Sequence, residues 1–111
     1  MTIKYKSETF DLTTSNLTTV LTVATSATVI VKTVQVVHDT ASNVDTDLIV
    51  KKSGGSDVLI GHYDLNNSMA NLLVGTLNLE GGDILKVQAN TANEITGAVS
   101  YALIDRSQEN G

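Results

Sequence analysis

The side chains able to do chemistry are few and lie in three short clusters. His38-Asp39 ends an apolar stretch, Asp45-Thr46-Asp47 opens another, and His62-Tyr63-Asp64 sits inside a third. In an extended chain residues two apart share a face, so His62 could hydrogen-bond Asp64. His38 and His62 with Asp45 or Asp47 have the right atoms for a metal, but no spacing makes them converge. The Asp45/Asp47 pair offers the oxygens that calcium or magnesium prefers. It lacks the turn glycine, the third acid and the closing Glu that a hard cation's loop needs. A solvated strand face explains the second and third clusters more simply.

Gly54-Gly55 and Gly81-Gly82 invite a phosphate-loop reading. Neither is followed by Lys-Ser/Thr and a helix, so both read as tight turns. No serine stands in a G-x-S-x-G elbow, and the chain has no Cys, which excludes a thiol nucleophile, thiolate zinc and disulfides. Sugar and single-stranded nucleic-acid binders stack their ligands on exposed aromatics. This chain has no Trp and offers only Phe10, Tyr5, Tyr63 and Tyr101. No enzyme, no cofactor and no metal is expected.

Net charge is −5 at pI 4.7, which argues against nucleic acid as a partner. Lys51-Lys52 is the one basic doublet. The longest apolar runs are about 3 or 4 residues against the roughly 20 that cross a bilayer, so no membrane partner is expected. Met1–Lys6 has no apolar leader, which fits synthesis in a cytoplasm. The sequons at Asn16 and Asn66 follow from an Asn/Thr-rich composition and carry no weight.

The elements that must position these residues are strands. With 15 Thr, 13 Val, 12 Leu and 7 Ile in 111 residues, apolar residues gather in short β-branched runs broken by Gly, Asn, Asp and Ser. Eight strands are predicted: residues 8–12, 17–23, 28–38, 44–52, 58–65, 69–79, 84–89 and 94–105. In 44–52, Val44, Thr46, Leu48 and Val50 alternate with a polar row, the mark of a strand wet on one side. In 58–65, Leu59, Tyr63 and Leu65 are assigned to the buried face. Residues 69–73 also fit a helical turn. Asn90–Asn93 fits a hairpin.

Strands every 8–14 residues predict an all-β fold, a single antiparallel β-sandwich of jelly-roll or Greek-key type. The length is that of one domain, able to bury roughly 65% of its unfolded surface. Residues 1–10 form an N-terminal arm or first edge strand, 7–106 the sandwich, and 107–111 a frayed tail.

Three stretches carry a resemblance: Leu12–Val23, Thr28–Val36, and Leu79-Glu80-Gly81-Gly82-Asp83-Ile84-Leu85-Lys86-Val87-Gln88-Ala89 before Asn93 and the closing strand. In this order the chain, from about Leu12 to Ile104, resembles small structural proteins of tailed bacteriophages, marine and cyanobacterial ones above all. The resemblance implies a β-sandwich virion component, often oligomeric, placed as capsid decoration or in tail and neck. Met1–Phe10 lies outside it. That segment alternates polar and apolar residues and could add a strand to another chain, with Ile3, Lys4, Tyr5, Lys6 and Phe10 as the contacts. Lys4 and Lys6 suit an acidic partner.

Two functions of different class follow. The first is a capsid decoration protein, a homo-oligomer (a trimer by preference) that binds the major capsid protein or other virion proteins, with a tail, neck or fibre part as its variant. The second is a carbohydrate- or calcium-binding module resting on Asp45, Asp47, Asp57, Asp64 and His62.

Overall fold

The computed structural model describes residues 2–38 and 42–106. Nine strands follow one another without a helix among the described residues: β1 Thr2–Leu12, β2 Thr18–Thr22, β3 Ala27–His38, β4 Val44–Lys51, β5 Asp57–Leu65, β6 Ser68–Asn71, β7 Leu77–Glu80, β8 Ile84–Ala89 and β9 Ile95–Asp105. They form two antiparallel sheets. Sheet A runs β1-β9-β3, with β6 and β7 sharing the far edge of β3; sheet B runs β2-β8-β4-β5. β4 and β5 make a hairpin within sheet B, β6 and β7 follow each other along one edge of sheet A, and every other connection passes between sheets. This is the jelly-roll strand order, so the all-β sandwich expected from the sequence is the fold.

The rise from eight strands to nine has a local cause. Ser68–Asn71 pairs with Gln35–His38, and Leu77–Glu80 pairs with Thr28–Val31. Between them five residues lie opposite three of β3, so the strand cannot stay in register and bulges out. Asn71 fills the gap: its side-chain oxygen accepts the Val34 N–H at 2.9 Å, while Leu72 N–H donates to the Val34 carbonyl, also at 2.9 Å. The helical turn considered for 69–73 does not form. The hairpin expected at Asn90–Asn93 is instead a crossover, because β8 and β9 lie in different sheets. The tail 107–111 and the loop residues Asp39–Ala41 lie outside the described residues.

Two bulges decide which side chains are inside. In Val29-Ile30-Val31-Lys32-Thr33-Val34-Gln35-Val36, strict alternation would set Val29 and Val31 on the face opposite Val34 and Val36. A register shift against β9 between Val31 and Thr33 absorbs Lys32, and all four valines turn inward. A second shift against β4 absorbs Ile60 in β5. It turns Leu59 onto the face of His62 and away from that of Tyr63. Leu12, Leu48, Leu79, Leu85, Val87, Ile95 and Val99 complete a core of fully buried side chains, each stabilising by about 1.5–3 kcal/mol.

Glycine closes one side of the sandwich. A Cβ on Gly61 of β5 would stand 2.2 Å from the Leu72 carbonyl oxygen, so β5 can approach the β6–β7 bulge only there.

Candidate functional site

The three polar clusters seen in the sequence fall in different places. His38 is buried on the inner face of β3, its Nδ1 3.1 Å from the Glu94 carbonyl oxygen and its Nε2 2.6 Å from that of Ser42. It ties the end of β3 to the start of β9 and to the next loop, which is a structural task. His62 lies on the outer face of the other sheet, so the convergence of His38 with His62 does not occur.

Asp45, Asp47, His62 and Asp64 do meet, on the outer face of sheet B. Asp47 stands opposite His62 and Asp45 opposite Asp64. His62 Nδ1 is 2.6 Å from Asp47 Oδ1, so the histidine's partner is the cross-strand aspartate and not Asp64. That hydrogen bond, followed by the charges of Asp47, Asp45 and Asp64, raises the His62 pKa above 6.5 against a lowering from desolvation. The pair is exposed and borders a shallow depression of 330 Å³ with Leu59, Gln88 and Asn90. Among the described residues no three His, Asp or Glu side chains are placed to hold a metal ion. Asp57 is elsewhere, bound to Lys86 at 2.8 Å.

The carboxylate of Asp83 is a different case. It is 2% exposed at the turn before β8. One oxygen accepts the Ser53 N–H at 2.9 Å; the other accepts the Glu80 N–H at 2.8 Å and the Lys52 ammonium. Burial pushes its pKa up, but the bonds from Lys52, Glu80 and Ser53 outweigh that and hold it below 3.8. Asp83 therefore locks the β7–β8 turn onto the β4–β5 hairpin. Gly82 reaches the required φ of +89°, open to glycine at little cost.

The N-terminal segment is an edge strand of sheet A. β1 pairs with β9 from Thr2↔Asp105 to Leu12↔Ile95. Its other edge is unpaired, and its residues are exposed on both faces up to Thr9. Thr2, Lys4, Lys6 and Glu8 point to the inner side, where β2 is only five residues long and leaves them uncovered. Ile3 and Tyr5 point outward, 52% and 79% exposed. Phe10 turns inward against the core and over Gly97. All five expected contact residues lie on this edge strand; Ile3, Lys4, Tyr5 and Lys6 are exposed and Phe10 is partly buried. Between β1 and β2 lies a cleft of 420 Å³, walled by Lys6, Glu8, Thr19, Thr22 and Tyr101. Burial, then the charge and hydrogen bond of Glu8, push the Tyr101 hydroxyl pKa up.

Two surfaces were not visible in the sequence. The first is β5, the edge of sheet B. Val58, Leu59, Ile60 and Tyr63 are 55%, 57%, 41% and 49% exposed. Leu59 and Tyr63 were expected inside; the bulge at Ile60 turns Leu59 out, and the short β6 leaves Tyr63 uncovered. The second is the outer face of sheet A. Register sets Tyr5, Ala102, Ile30 and Asn78 in one row, Ser7, Ser100 and Thr33 in the next, and Thr9, Ala98, Gln35 and Asn71 in a third. Charges occur at its ends, Asp11 and Glu80, and at the Lys32 bulge. The outer face of sheet B carries Asp45, Asp47, Lys51, Asp57, His62, Asp64 and Lys86 instead.

No protein-family model and no curated protein matches the chain. Solved structures do. Bacillus endospore appendages, described as a family of disulfide-linked pili, align over 95% of this chain and 88% of theirs with TM-score 0.51 and 13% identity. A pentameric capsid protein from metagenomic phage sequences aligns over 91% of this chain and 59% of its own, with TM-score 0.42 and 15% identity. The CBM22-1–GH10 fragment of Clostridium thermocellum xylanase 10B, complexed with xylohexaose, aligns over 78% of this chain and 18% of its own, with TM-score 0.46 and 8% identity. The chain therefore spans under a fifth of the xylanase fragment and about three fifths of the capsid protein. At such identities the likeness to the pilus structure is one of fold and nothing more.

Proposed function

We propose that this protein is a structural component of a bacteriophage particle, a capsid decoration protein that binds the icosahedral shell as an oligomer and has no catalytic task. The observation that carries this reading is the outer face of sheet A. Protein interfaces are poorest in charge at their centre. Here the three central rows hold Ala, Ser, Thr, Asn, Gln, Ile and Tyr, with the bulged Lys32 as the one charge between them, while charge is concentrated on the opposite face. Four strand positions about 4.8 Å apart and ten residues at ~3.3 Å each give a face of roughly 600 Å² in projection. That approaches the ~800 Å² per partner of a standard specific contact. The sequence resemblance to phage structural proteins points the same way. Repeated moderate contacts, multiplied by oligomer valency, would then hold the shell against internal pressure.

The test is binding of purified protein to capsids stripped of it, with copy number per particle. Thr9→Glu and Gln35→Glu put charge into the uncharged rows at exposed positions, where folding stability moves by no more than about 0.5 kcal/mol. Both should abolish capsid binding while leaving the melting curve in place. A few copies per particle, confined to one vertex or the tail, would replace decoration by a tail, neck or fibre role. Heat of calcium binding lost in Asp47→Asn, or glycan binding lost in Asp64→Asn, would replace the structural reading altogether.

A further inference from the structure

Resting on the reading of a self-assembling structural protein, we infer that the free edge of β5 receives β1 of a second copy, joining sheet B of one subunit to sheet A of the next.

Both edges are open and both lack a covering layer. β5 ends sheet B, so one side of its nine-residue backbone has no ladder partner. Its apolar side chains Val58, Leu59, Ile60 and Tyr63 are exposed on both of its faces, and Val74 on the adjoining β6–β7 bulge is 96% exposed. A long apolar edge strand of this kind is a template for pairing unless something covers it. Among the described residues nothing does, because β6 and β7 facing it have four residues each. β1 is the complementary piece: eleven residues, unpaired along one side, with Ile3 and Tyr5 exposed.

The occupant is β1 rather than a second β5 because of charge. Antiparallel β5–β5 pairing centred between Ile60 and Gly61 would bring Asp57 opposite Asp64, a like-charge contact that destabilises a sheet. β1 offers Lys4 and Lys6 to the same acidic borders. Within one subunit the two edges lie on opposite sides: β1 stands over β2 at the cleft they share, and β5 stands against the β6–β7 bulge. Each copy therefore gives one edge and receives on the other. That contact is heterologous, and it closes into a ring or propagates as a chain.

The chain has no Cys, so single cysteines report contacts cleanly. Tyr5→Cys and Leu59→Cys are made separately, mixed, and treated with a short bis-maleimide. A specific contact raises local concentration to the order of millimolar, so mixed dimers should exceed like dimers roughly tenfold. The double variant should give a ladder or one closed ring. In mass photometry Ile60→Lys should reduce the wild-type oligomer to monomer with an unchanged circular dichroism spectrum. Predominance of Leu59–Leu59 or Tyr5–Tyr5 links overturns the inference, as does an oligomer that survives Ile60→Lys. In those cases self-assembly stands and runs through another surface. A wild-type monomer at high micromolar concentration that still coats capsids overturns this inference and the oligomeric part of the proposed function, and leaves the capsid role standing. A monomer that ignores capsids overturns the proposed function with it.

Discussion

Asp83→Asn removes the carboxylate that fastens the β7–β8 turn to the β4–β5 hairpin. Each of the two main-chain N–H bonds to it, from Ser53 at 2.9 Å and Glu80 at 2.8 Å, is charge-assisted and contributes about 1.5–3 kcal/mol. Asparagine has one oxygen to offer. It keeps one of these bonds in a neutral form near ~1 kcal/mol and turns an NH₂ toward the other N–H. The Lys52 ammonium is 58% exposed, so the ion pair itself adds less than about 1 kcal/mol. The net loss is about 2–5 kcal/mol, which for a domain of this size lowers Tm by roughly 8–20 °C. Urea unfolding at pH 7 with an unchanged m-value measures it. The pH dependence separates this cause from mere misfit. Because the folded pKa of Asp83 lies below 3.8, its stabilisation is complete above the unfolded pKa and is lost as pH falls through the folded one. The difference between wild type and Asp83→Asn should therefore shrink below about pH 4. Lys52→Met should cost less than about 1 kcal/mol at pH 7. A loss under about 0.5 kcal/mol for Asp83→Asn, within the range of ordinary surface changes, or a difference constant from pH 7 to pH 2, would refute the lock.

Thr46 is fully buried and its hydroxyl has no hydrogen-bond partner. Thr46→Val exchanges that hydroxyl for a methyl of nearly the same volume and should stabilise by about 1–2 kcal/mol, read as a higher urea midpoint; a lower midpoint would show that the hydroxyl is satisfied. In an NMR titration His62 should have its midpoint above 6.5, and Asp47→Asn should move it down toward that value. Since the folded pKa is the raised one, the pair's stabilisation is full below the unfolded pKa and fades as pH rises through the folded pKa. An unchanged midpoint in Asp47→Asn would assign the shift to Asp45 and Asp64.

The sequence by itself determined the fold class, most strand positions and the β4–β5 hairpin turn, but not the crossover at Asn90–Asn93. Short runs of β-branched residues can bury one face only as strands, and 44–51 alternates so regularly that its buried row could be read directly. Asn71, Asp83 and the exposed edge of β5 escaped that reading for a common reason. Each depends on an offset of one or two residues in strand pairing. Whether Lys32 and Ile60 sit in register or in a bulge cannot be told from their own neighbours, yet the answer reverses the facing of every residue beyond them. Asp83 looked like one more turn residue because its partners, Lys52 and Ser53, are 30 positions away in the chain. The two histidines looked alike in sequence and ended on opposite sheets. Tertiary structure alone decided that β1 overhangs β2 and that β5 overhangs β6, because overhang is a relation between strands of two layers. Those two uncovered edges, together with a charge-poor sheet face, are the surfaces on which the proposed assembly rests.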